Sequence, residues 1–340
     1  MGKVSYLFRR VIHMDFSGYK KAAQEVHRRS GRNTFAVLLD MAWCGIRYQA
    51  GYMDYLVFEF ERLSAAQRAT YVTRGVNNAM VKKLNDPALD GLFADKVQTL
   101  RRYAPFVKRK WLYLPDSTAG EFAEFVASCD RFVGKPVDGC CGRGVTFFRS
   151  ADVKDPAALF ETSREEGLLL FEEFVVQHPA MAAIYPDSVN TLRMVTVLWN
   201  GVPHLVFPSI RIGNGKQVDN LNAGGMASVI DPETGCISKP CADKEGNVYE
   251  THPMTGTRFA GYPIPYFQEA KELVLQLACV EPRVGYVGWD IAITENGPDL
   301  IEANNFPGHD IYQFRVHLEA DGMGIKPRFD AIFREKPEEK

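Results

Sequence analysis

The sequence has no strong excess of charge, no paired cysteines and no long hydrophobic run. Its 40 basic and 42 acidic residues give a net charge of −2 over 340 residues, so no global field favours nucleic acid or a membrane. The seven cysteines form no Cys-x-x-Cys pair, which favours reduced thiols in the cytoplasm. No apolar run is long enough to span a bilayer, and the first ten residues lack a signal-peptide core. We expect a soluble cytoplasmic protein with no membrane span and no nucleic-acid partner.

A glycine-rich stretch, Asp-Gly-Cys-Cys-Gly-Arg-Gly at residues 138–144, matches none of the common phosphate-binding loops. No Gly-Lys-Ser/Thr ends it, so it is not a Walker A loop, and its glycine spacing differs from that of protein kinases. It separates two expected strands, Arg131–Val137 and Val145–Phe148. Backbone N–H groups in such a turn can cover phosphates, although a flexible hairpin tip would have the same composition.

The most informative stretch is residues 286–308, which predicts a β-hairpin. Tyr286–Thr294 alternates with the period of a strand, and Glu295-Asn296-Gly297 is a turn signal. A two-residue Asn-Gly loop would place Asp290 opposite Ala303. A three-residue loop with Gly297 in the left-handed region would place Asp290 opposite Glu302 instead. We favour this second register, because it gathers the oxygen ligands on one face and leaves Ile301 to the core.

In that register Asp290, Glu302 and Asn304 form a candidate metal site. Two carboxylates opposite each other on neighbouring strands repel and destabilise a sheet. A divalent cation removes the repulsion, and Mg²⁺ prefers a few carboxylate oxygens together with substrate phosphates. A surface hairpin with two solvated acids is the alternative. The apolar neighbours of these acids and the Asn-Asn-Phe-Pro-Gly that follows favour the metal site.

This hairpin resembles the metal-binding end of the ATP-grasp superfamily, in which an acid on one strand and a Glu-x-Asn on the next hold Mg²⁺ against ATP. Over most of the chain the sequence is similar to the sugar-transfer-associated ATP-grasp proteins, which are distantly similar to glutamate-ligase-type enzymes. The order of the motifs between residues 95 and 310 carries this resemblance: Asp-Lys, a strand Lys with a glycine loop, Glu-Glu, two arginines, Asn with Gly-Gly, and Asp…Glu-x-Asn.

The resemblance implies roles for named residues, with ATP and Mg²⁺ as cofactors and Mn²⁺ as an alternative metal. The cofactor-binding residues implied are Lys96, Lys135, Gly139, Gly142, Gly144, Glu172, Glu173, Phe174 and Val175. The catalytic residues implied are Arg193, Arg211 and Asn304, and the metal ligands are Asp290, Glu302 and Asn304. Substrate binding falls to Asn220, Gly224, Gly225 and His309, of which His309, like His178, is a lone histidine and more often structural.

The fold expected is α+β, an ATP-grasp fold in which two α+β subdomains clamp ATP. A helical region, 1–94, precedes the ATP-grasp domain, 95–330, and a disordered tail covers 331–340. Within the ATP-grasp domain we expect a lid subdomain at about 115–175 and a metal-binding subdomain at about 176–318. The helices predicted by periodicity and capping are 19–29, 34–48, 64–80, 97–106, 116–128, 157–166 and 266–279.

The chemistry that the resemblance implies is ATP-dependent joining of a small carboxylate to an amine through an acyl phosphate, with a sugar-linked or peptide acceptor and a place in polysaccharide biosynthesis. Direct phosphoryl transfer to a hydroxyl is one alternative, and a non-catalytic nucleotide-binding module is another. The first 85 residues carry no general ATP-grasp motif, which leaves the acceptor open. The oligomeric state is open as well.

Overall fold

The computed structural model describes residues 16–137, 144–216 and 218–336. Its α-helices in chain order are α1 (Phe16–Ser30), α2 (Thr34–Arg47), α3 (Tyr52–Val57), α4 (Ala65–Arg68), α5 (Arg74–Leu84), α6 (Asp90–Ala94), α7 (Lys96–Arg102), α8 (Ala119–Ser128), α9 (Pro156–Glu166), α10 (Pro179–Ile184), α11 (Phe267–Val280) and α12 (Lys326–Ile332). No helix within these ranges is both long and apolar enough to cross a membrane.

The strands complete an α+β fold. They are β1 (Trp111–Tyr113), β2 (Arg131–Lys135), β3 (Thr146–Arg149), β4 (Leu170–Glu173), β5 (Leu192–Trp199), β6 (Val202–Ile212), β7 (Met226–Val229), β8 (Cys241–Ala242), β9 (Val248–Tyr249), β10 (Tyr286–Thr294) and β11 (Gly297–Asn304). They form a four-stranded sheet in the order β1-β4-β2-β3 and a seven-stranded sheet in the order β11-β10-β5-β6-β7-β8-β9.

The chain divides into two compact units, and the first holds the described residues up to Lys83 and those from Gly308 onward. Buried aromatic rings form much of its core, with Phe58 packed between Phe60 and Tyr71. Ser64 caps α4 in a capping box with Gln67, as predicted. The single helix predicted over 64–80 is two helices, because the N–H of Val72 bonds to a side chain, that of Gln313, instead of a helix carbonyl.

The second unit runs from Leu84 to Pro307 and contains both sheets. Helix α11 packs on β5 and β6, and its Val274 and Leu277 share a buried core with Trp289. Helices α8 and α9 pack together against the four-stranded sheet through a second core of phenylalanines. Helix α8 starts at Ala119, later than predicted, because Thr118 and Glu121 form a capping box there. The helix predicted over 97–106 ends at Arg102, before a short 3-10 turn.

The unit boundaries differ from the predicted domain limits. The ATP-grasp region was expected to run from 95 to 330, whereas the second unit starts at Leu84 and residues after Pro307 join the N-terminal helices. The tail expected to be disordered from 331 begins within α12, which ends at Ile332. Residues 337–340 lie outside the described ranges.

The β10–β11 hairpin has the predicted pairing of its functional residues. Asp290 lies opposite Glu302, and Gly288 lies opposite Asn304. Gly297 has φ +89, in the left-handed region as predicted, but it pairs with Thr294, so the loop has two residues and not the predicted three. The shift in register, however, occurs between Asp290 and Ile291, which leaves Ile301 as the extra residue of a bulge. Ile301 was expected in the core, but the bulge turns it toward the cavity described next.

Candidate active site

A cavity of about 1060 Å³ opens within the second unit, between residues of the two sheets. Eight of the residues predicted from the sequence line it. Phe174 and Val175 follow β4, and the other six come from β5, β6, β10, β11 and the loop before β7: Arg193, Arg211, Asn220, Asp290, Glu302 and Asn304. The antiparallel pairing of β6, β5, β10 and β11 therefore gathers residues that lie more than 100 positions apart in the chain.

Asp290 is the buried centre of this cluster. Arg193 Nε and Nη2 donate to its two oxygens at 2.5 and 2.9 Å, and Arg211 Nη2 donates at 2.7 Å. Burial alone would raise the pKa of Asp290, but the two guanidinium groups hold it below its usual value. Asp290 is therefore ionised and fully paired within the described structure.

Arg211 connects this carboxylate to a second one, Asp219. Arg211 donates to Thr191 Oγ1 at 3.0 Å, and Asp219 accepts from the Thr191 backbone N–H at 3.0 Å. Burial raises the pKa of Asp219, which Arg211 and the bonds from Thr191 oppose. Burial lowers the pKa of Arg211, but the charges of Asp290, Asp219 and Glu302 raise it by more, so the pKa lies above its usual value. Arg211 remains cationic at any working pH.

Glu302 and Asn304, both on β11, are the predicted metal ligands that remain uncommitted. Glu302 forms no hydrogen bond or ion pair with any described residue, although it is accessible from the cavity. Loss of contact with water and, after it, the charge of Asp290 raise the pKa of Glu302. The charges of Arg193, Arg211 and Lys96 lower it by less. Asn304 Nδ2 is buried and has no hydrogen-bond partner among the described residues. Such orphaned polar groups are rare and call for a ligand or a functional reason.

Glu302, Asn304 and Asp290 could bind Mg²⁺ only together with further oxygen ligands. No group of three or more His, Cys, Asp or Glu side chains in the described ranges is arranged to hold a metal ion. One free carboxylate, one amide and the shared Asp290 form an incomplete oxygen shell, which is the arrangement that leaves room for substrate phosphates. The donor chemistry fits Mg²⁺, with Glu302 and Asn304 as the residues able to bind it without losing a partner.

A second charged cluster joins the two sheets around Glu172. Glu172 is buried, contacts Lys135 Nζ, and accepts from Arg109 Nη2 at 2.6 Å. Arg109 also donates to the backbone carbonyl of Ile301 at 3.3 Å and pairs with Asp299 at 3.4 Å. Arg109 stands between Lys108 and Lys110 in the sequence, yet it is buried and bridges the four-stranded sheet to the β10–β11 hairpin.

Lys135 and Lys96 lie in the same electrostatic neighbourhood as Glu302. Burial, then the charges of Arg109 and Lys96, lower the pKa of Lys135 to about 7. Lys96 Nζ donates to the carbonyl of Val137 at 3.2 Å, just before the glycine-rich stretch. Gly144, with φ +74, ends that stretch. Gly139 and Gly142 lie outside the described residues, so the phosphate-covering loop stays a prediction.

The segment after β4 was predicted to contact adenine. Phe174 and Val175 line the cavity, and Arg131 stacks over the Phe174 ring at 4.2 Å. The N–H of Phe174 bonds to Arg131, so it is committed to the sheet. Glu172 and Glu173 do not line the cavity: Glu172 pairs with the cations described above, and Glu173 accepts from the N–H of Lys110 at 3.1 Å. The predicted contacts of these two carboxylates with a nucleotide stay untested.

Asn220, Gly224 and Gly225 form the turn before β7, and of the three only Asn220 lines the cavity. Asn220 caps a short 3-10 turn by accepting from the N–H of Asn222 at 2.9 Å. Gly224 has φ +96. A Cβ at Gly225 would lie 2.4 Å from the carbonyl oxygen of Asp219. The glycine pair therefore shapes the turn that presents Asp219 and Asn220, and its predicted contact with substrate remains untested.

The two histidines singled out in the sequence have structural partners. His309 belongs to the first unit, is buried, and bonds through Nε2 to Asp54 at 3.0 Å. His178 caps α10, its ring accepting from the N–H of Ala180 at 3.1 Å. Neither is among the residues that line the cavity.

Sequence reasoning missed Arg109, Asp219, Thr191 and Ile301. A basic residue beside two lysines carries no sign that its side chain is buried, and Thr191 has no signal beyond its place in a strand. Asp219 did carry a signal, since it directly precedes the predicted Asn220 in a turn-rich loop. Its contacts with Thr191 and Arg211 became visible only in the structure.

The fold and the arrangement of these residues define an ATP-grasp protein. The chain belongs to the sugar-transfer-associated ATP-grasp family, whose model matches residues 76–332. No curated protein sequence matches it significantly. The family membership supports ATP binding. It also confirms the predicted fold class and resemblance.

Solved structures with some likeness are ATP-grasp ligases. D-alanyl-alanine synthetase A from Vibrio cholerae has a TM-score of 0.44 and 14% identity, over 73% of this chain and 66% of its own. The ATP-grasp ligase PsnB, in complex with minimal precursor, Mg and ADP, has a TM-score of 0.43 and 13% identity, over 81% of this chain and 70% of its own. The D-alanine–D-alanine ligase from Coxiella burnetii has a TM-score of 0.43 and 13% identity, over 77% of this chain and 65% of its own. The chain thus spans about two thirds of the length of the first of these proteins, and likeness at this level says nothing of what it binds.

Proposed function

We propose that this protein is an ATP-dependent carboxylate–amine ligase that uses Mg²⁺ and forms an acyl phosphate. The observation that carries the proposal is that Glu302 and Asn304 line one cavity beside the paired Arg193–Asp290–Arg211 cluster, and that neither side chain is bonded to a described residue. Retention of both, despite their unfavourable energy, points to a ligand that they serve.

Glu302 and Asn304 would hold the metal, with Asp290 as a third oxygen donor. Mg²⁺ held there would act as a Lewis acid that offsets the negative charge of the ATP phosphates. Arg193 and Arg211 place positive charge on the Asp290 side of the cavity. Lys135 and Lys96 lie within electrostatic range of Glu302 but do not line the cavity. Arg193 and Arg211 can thus stabilise the charge of a phosphoryl group in transfer, and Lys135 would contribute in its protonated form.

The reaction has two steps. A carboxylate oxygen of the donor attacks the γ-phosphorus of ATP, the bond to the β-γ bridging oxygen breaks, and ADP leaves. The amine of the acceptor then attacks the acyl carbon, phosphate leaves with the bonding pair, and the amine loses a proton. Arg193 and Arg211 neutralise the transferred phosphoryl group in both steps, since neither can lose its proton.

The substrates that we propose are a small carboxylate and an amine, the latter carried by a sugar-linked or peptide acceptor. The name of the family supports a sugar-linked acceptor and a role in polysaccharide biosynthesis. Transfer to a hydroxyl through a phosphohistidine has less support, because no histidine in the described part of the chain lines the cavity. We place the reaction in the cytoplasm, where ATP is abundant.

The test is incubation of the protein with Mg-ATP and pooled amino acids, uronic acids and sugar amines, followed by mass spectrometry. The proposal predicts ADP, phosphate and a product with the mass of two pool members minus water. Glu302→Gln should abolish the product, whereas Glu295→Gln, in the exposed turn of the same hairpin, should not. ADP with a phosphorylated alcohol would replace the ligase by a kinase.

A further inference from the structure

The outward face of α2 is a continuous apolar surface. Phe35, Leu39, Trp43 and Ile46 are exposed by 66, 58, 56 and 59%. Their spacing of four, four and three residues places them in one stripe along the helix. The opposite face, with Val37, Met41 and Cys44, is buried in the core of the first unit. Helix α2 is thus apolar on both sides.

Single exposed hydrophobic residues are normal on a protein surface, but a contiguous stripe is not. Of the other exposed residues of α2, two are alanines and only Arg47, the last, is charged. Asp40, partly buried, is turned away to a bidentate pair with Arg68 at 2.7 and 2.8 Å. A helix that is apolar all round requires a covering partner.

The charge of the residues near this stripe in the sequence indicates what kind of partner covers it. Residues 16–47 carry six basic side chains and two acidic ones, a net of +4 in a chain whose total is −2. Both acids are neutralised, since Glu25 pairs with Arg28 and Asp40 pairs with Arg68, and one of the bases is paired as well, since Arg29 bonds to Glu61 outside this segment. The basic residues are Lys20, Lys21, Arg28, Arg29, Arg32 and Arg47. The partner should therefore combine an apolar interior with a negative surface.

We propose that the stripe, Phe35, Leu39, Trp43 and Ile46, docks the protein on the surface of an anionic lipid bilayer. Helix α2 has 14 residues, about 21 Å at 1.5 Å per residue, which is too short to span a bilayer but suited to lie within its interface. Trp43 and Phe35 enter the boundary between headgroups and acyl chains. Arg32 and Arg47, which flank the helix in sequence, meet the lipid phosphates.

Charge disfavours the other two occupants. A second copy of the chain would bring together two segments that each carry net positive charge. Residues 1–15, which lie outside the described ranges, contain three basic residues and one acid, so they would also bring positive charge to a positive surface. The docking proposal stands independently of the ligase proposal, because no residue of the cavity takes part in it.

The experiment is co-sedimentation of the full chain with vesicles of phosphatidylcholine alone or with 30% phosphatidylglycerol. We expect binding to the anionic vesicles that weakens with salt, and none or little to the neutral ones. The double substitution Leu39→Ser and Trp43→Ser should weaken binding at least about tenfold, since it removes two large apolar side chains that docking would bury. Met254→Ser, which changes another exposed apolar residue, at 60% exposure, is the matched control and should bind as the parent does.

A measurement on the unaltered protein keeps the test decisive if a variant misfolds. Brominated lipids in the anionic vesicles should quench Trp43, and a Trp43→Phe protein should lose that part of the quenching. The proposal is overturned if the parent protein does not sediment with anionic vesicles. It is also overturned if the parent is a dimer that the double substitution dissociates, because a second copy then covers the stripe.

Discussion

Arg193 lies directly opposite Asp290 across β5 and β10, and its guanidinium meets both oxygens of that carboxylate. Arg211, one strand further, completes the pairing from the other side. Asp290 is therefore held by two buried cations before any metal or nucleotide arrives. Substitution of Asp290 would change the stability of the protein as well as its chemistry, so Glu302 is the cleaner probe of function.

Replacing Asp290 by Asn should destabilise the protein by about 3–5 kcal/mol, because it leaves two mostly buried guanidinium groups without a counter-ion. Urea unfolding measures this change. Asp130→Asn, at a side chain that is 98% exposed, is the control and should stay within about 0.5 kcal/mol of the parent. Removing one cation as well, in Asp290→Asn with Arg193→Met, should recover part of the loss. An Asp290→Asn protein as stable as the parent would refute this account of the cluster.

Replacing Glu302 by Gln should raise the melting temperature of the metal-free protein. The pKa of Glu302 is raised by burial and by Asp290, so its ionised form is less favourable in the folded than in the unfolded chain. That penalty is present above the usual pKa of a Glu and disappears as acid protonates the group. The gain from Gln should therefore be seen at pH 7.5 and fade toward pH 4. Glu295→Gln should show no gain at either pH.

Binding of ATP should take up a proton at Lys135. Burial and neighbouring cations lower its pKa to about 7, so at pH 8 the amine is largely neutral in the free protein. Phosphates beside it would restore the proton, and affinity for ATP should rise as pH falls from 9 to 7. Calorimetry in buffers of different ionisation enthalpy measures the uptake. Lys135→Arg, which keeps its charge at every pH, should remove it, and equal uptake in both proteins would assign the proton elsewhere.

Replacing Gly225 by Ala should lower stability by about 1–3 kcal/mol, since the new methyl group would overlap backbone atoms. The methyl would lie 2.4 Å from the carbonyl oxygen of Asp219. Because Asp219 bonds to Thr191 beside Arg211, ATP turnover should fall as well. Gly91→Ala, in helix α6 with no atom within 4 Å of the new carbon, is the matched control. It should be neutral or slightly stabilising.

Much of the site could be predicted because it depends on local patterns. The period of two in β10 and β11 and the turn between them placed Asp290 opposite Glu302, as found. This agreement was partly fortuitous, because the observed register depends on a bulge at Ile301, which no residue of the turn predicts. Arg193 and Arg211 were identified as strand arginines amid apolar residues, and both face the cavity.

What could not be predicted is the choice of partner. Glu172 lies in a strand with two acids in succession, and only the packing of the two sheets gives it Arg109 and Lys135 as partners. The break before α5 has a similar origin, since Gln313, far along the chain, bonds the N–H of Val72. Pairings across hundreds of residues leave no periodic trace in the sequence.

The most direct test of the central claim is the fate of oxygen in the donor carboxylate. Donor labelled with ¹⁸O in its carboxyl group, together with Mg-ATP and the amine, should release phosphate that carries one ¹⁸O atom, because the acyl phosphate breaks at the acyl carbon. Glu302→Gln protein should release none. If unlabelled phosphate accompanies product formation, or if the phosphate stays on a hydroxyl of the product, the protein does not form an acyl phosphate and the ligase account is wrong.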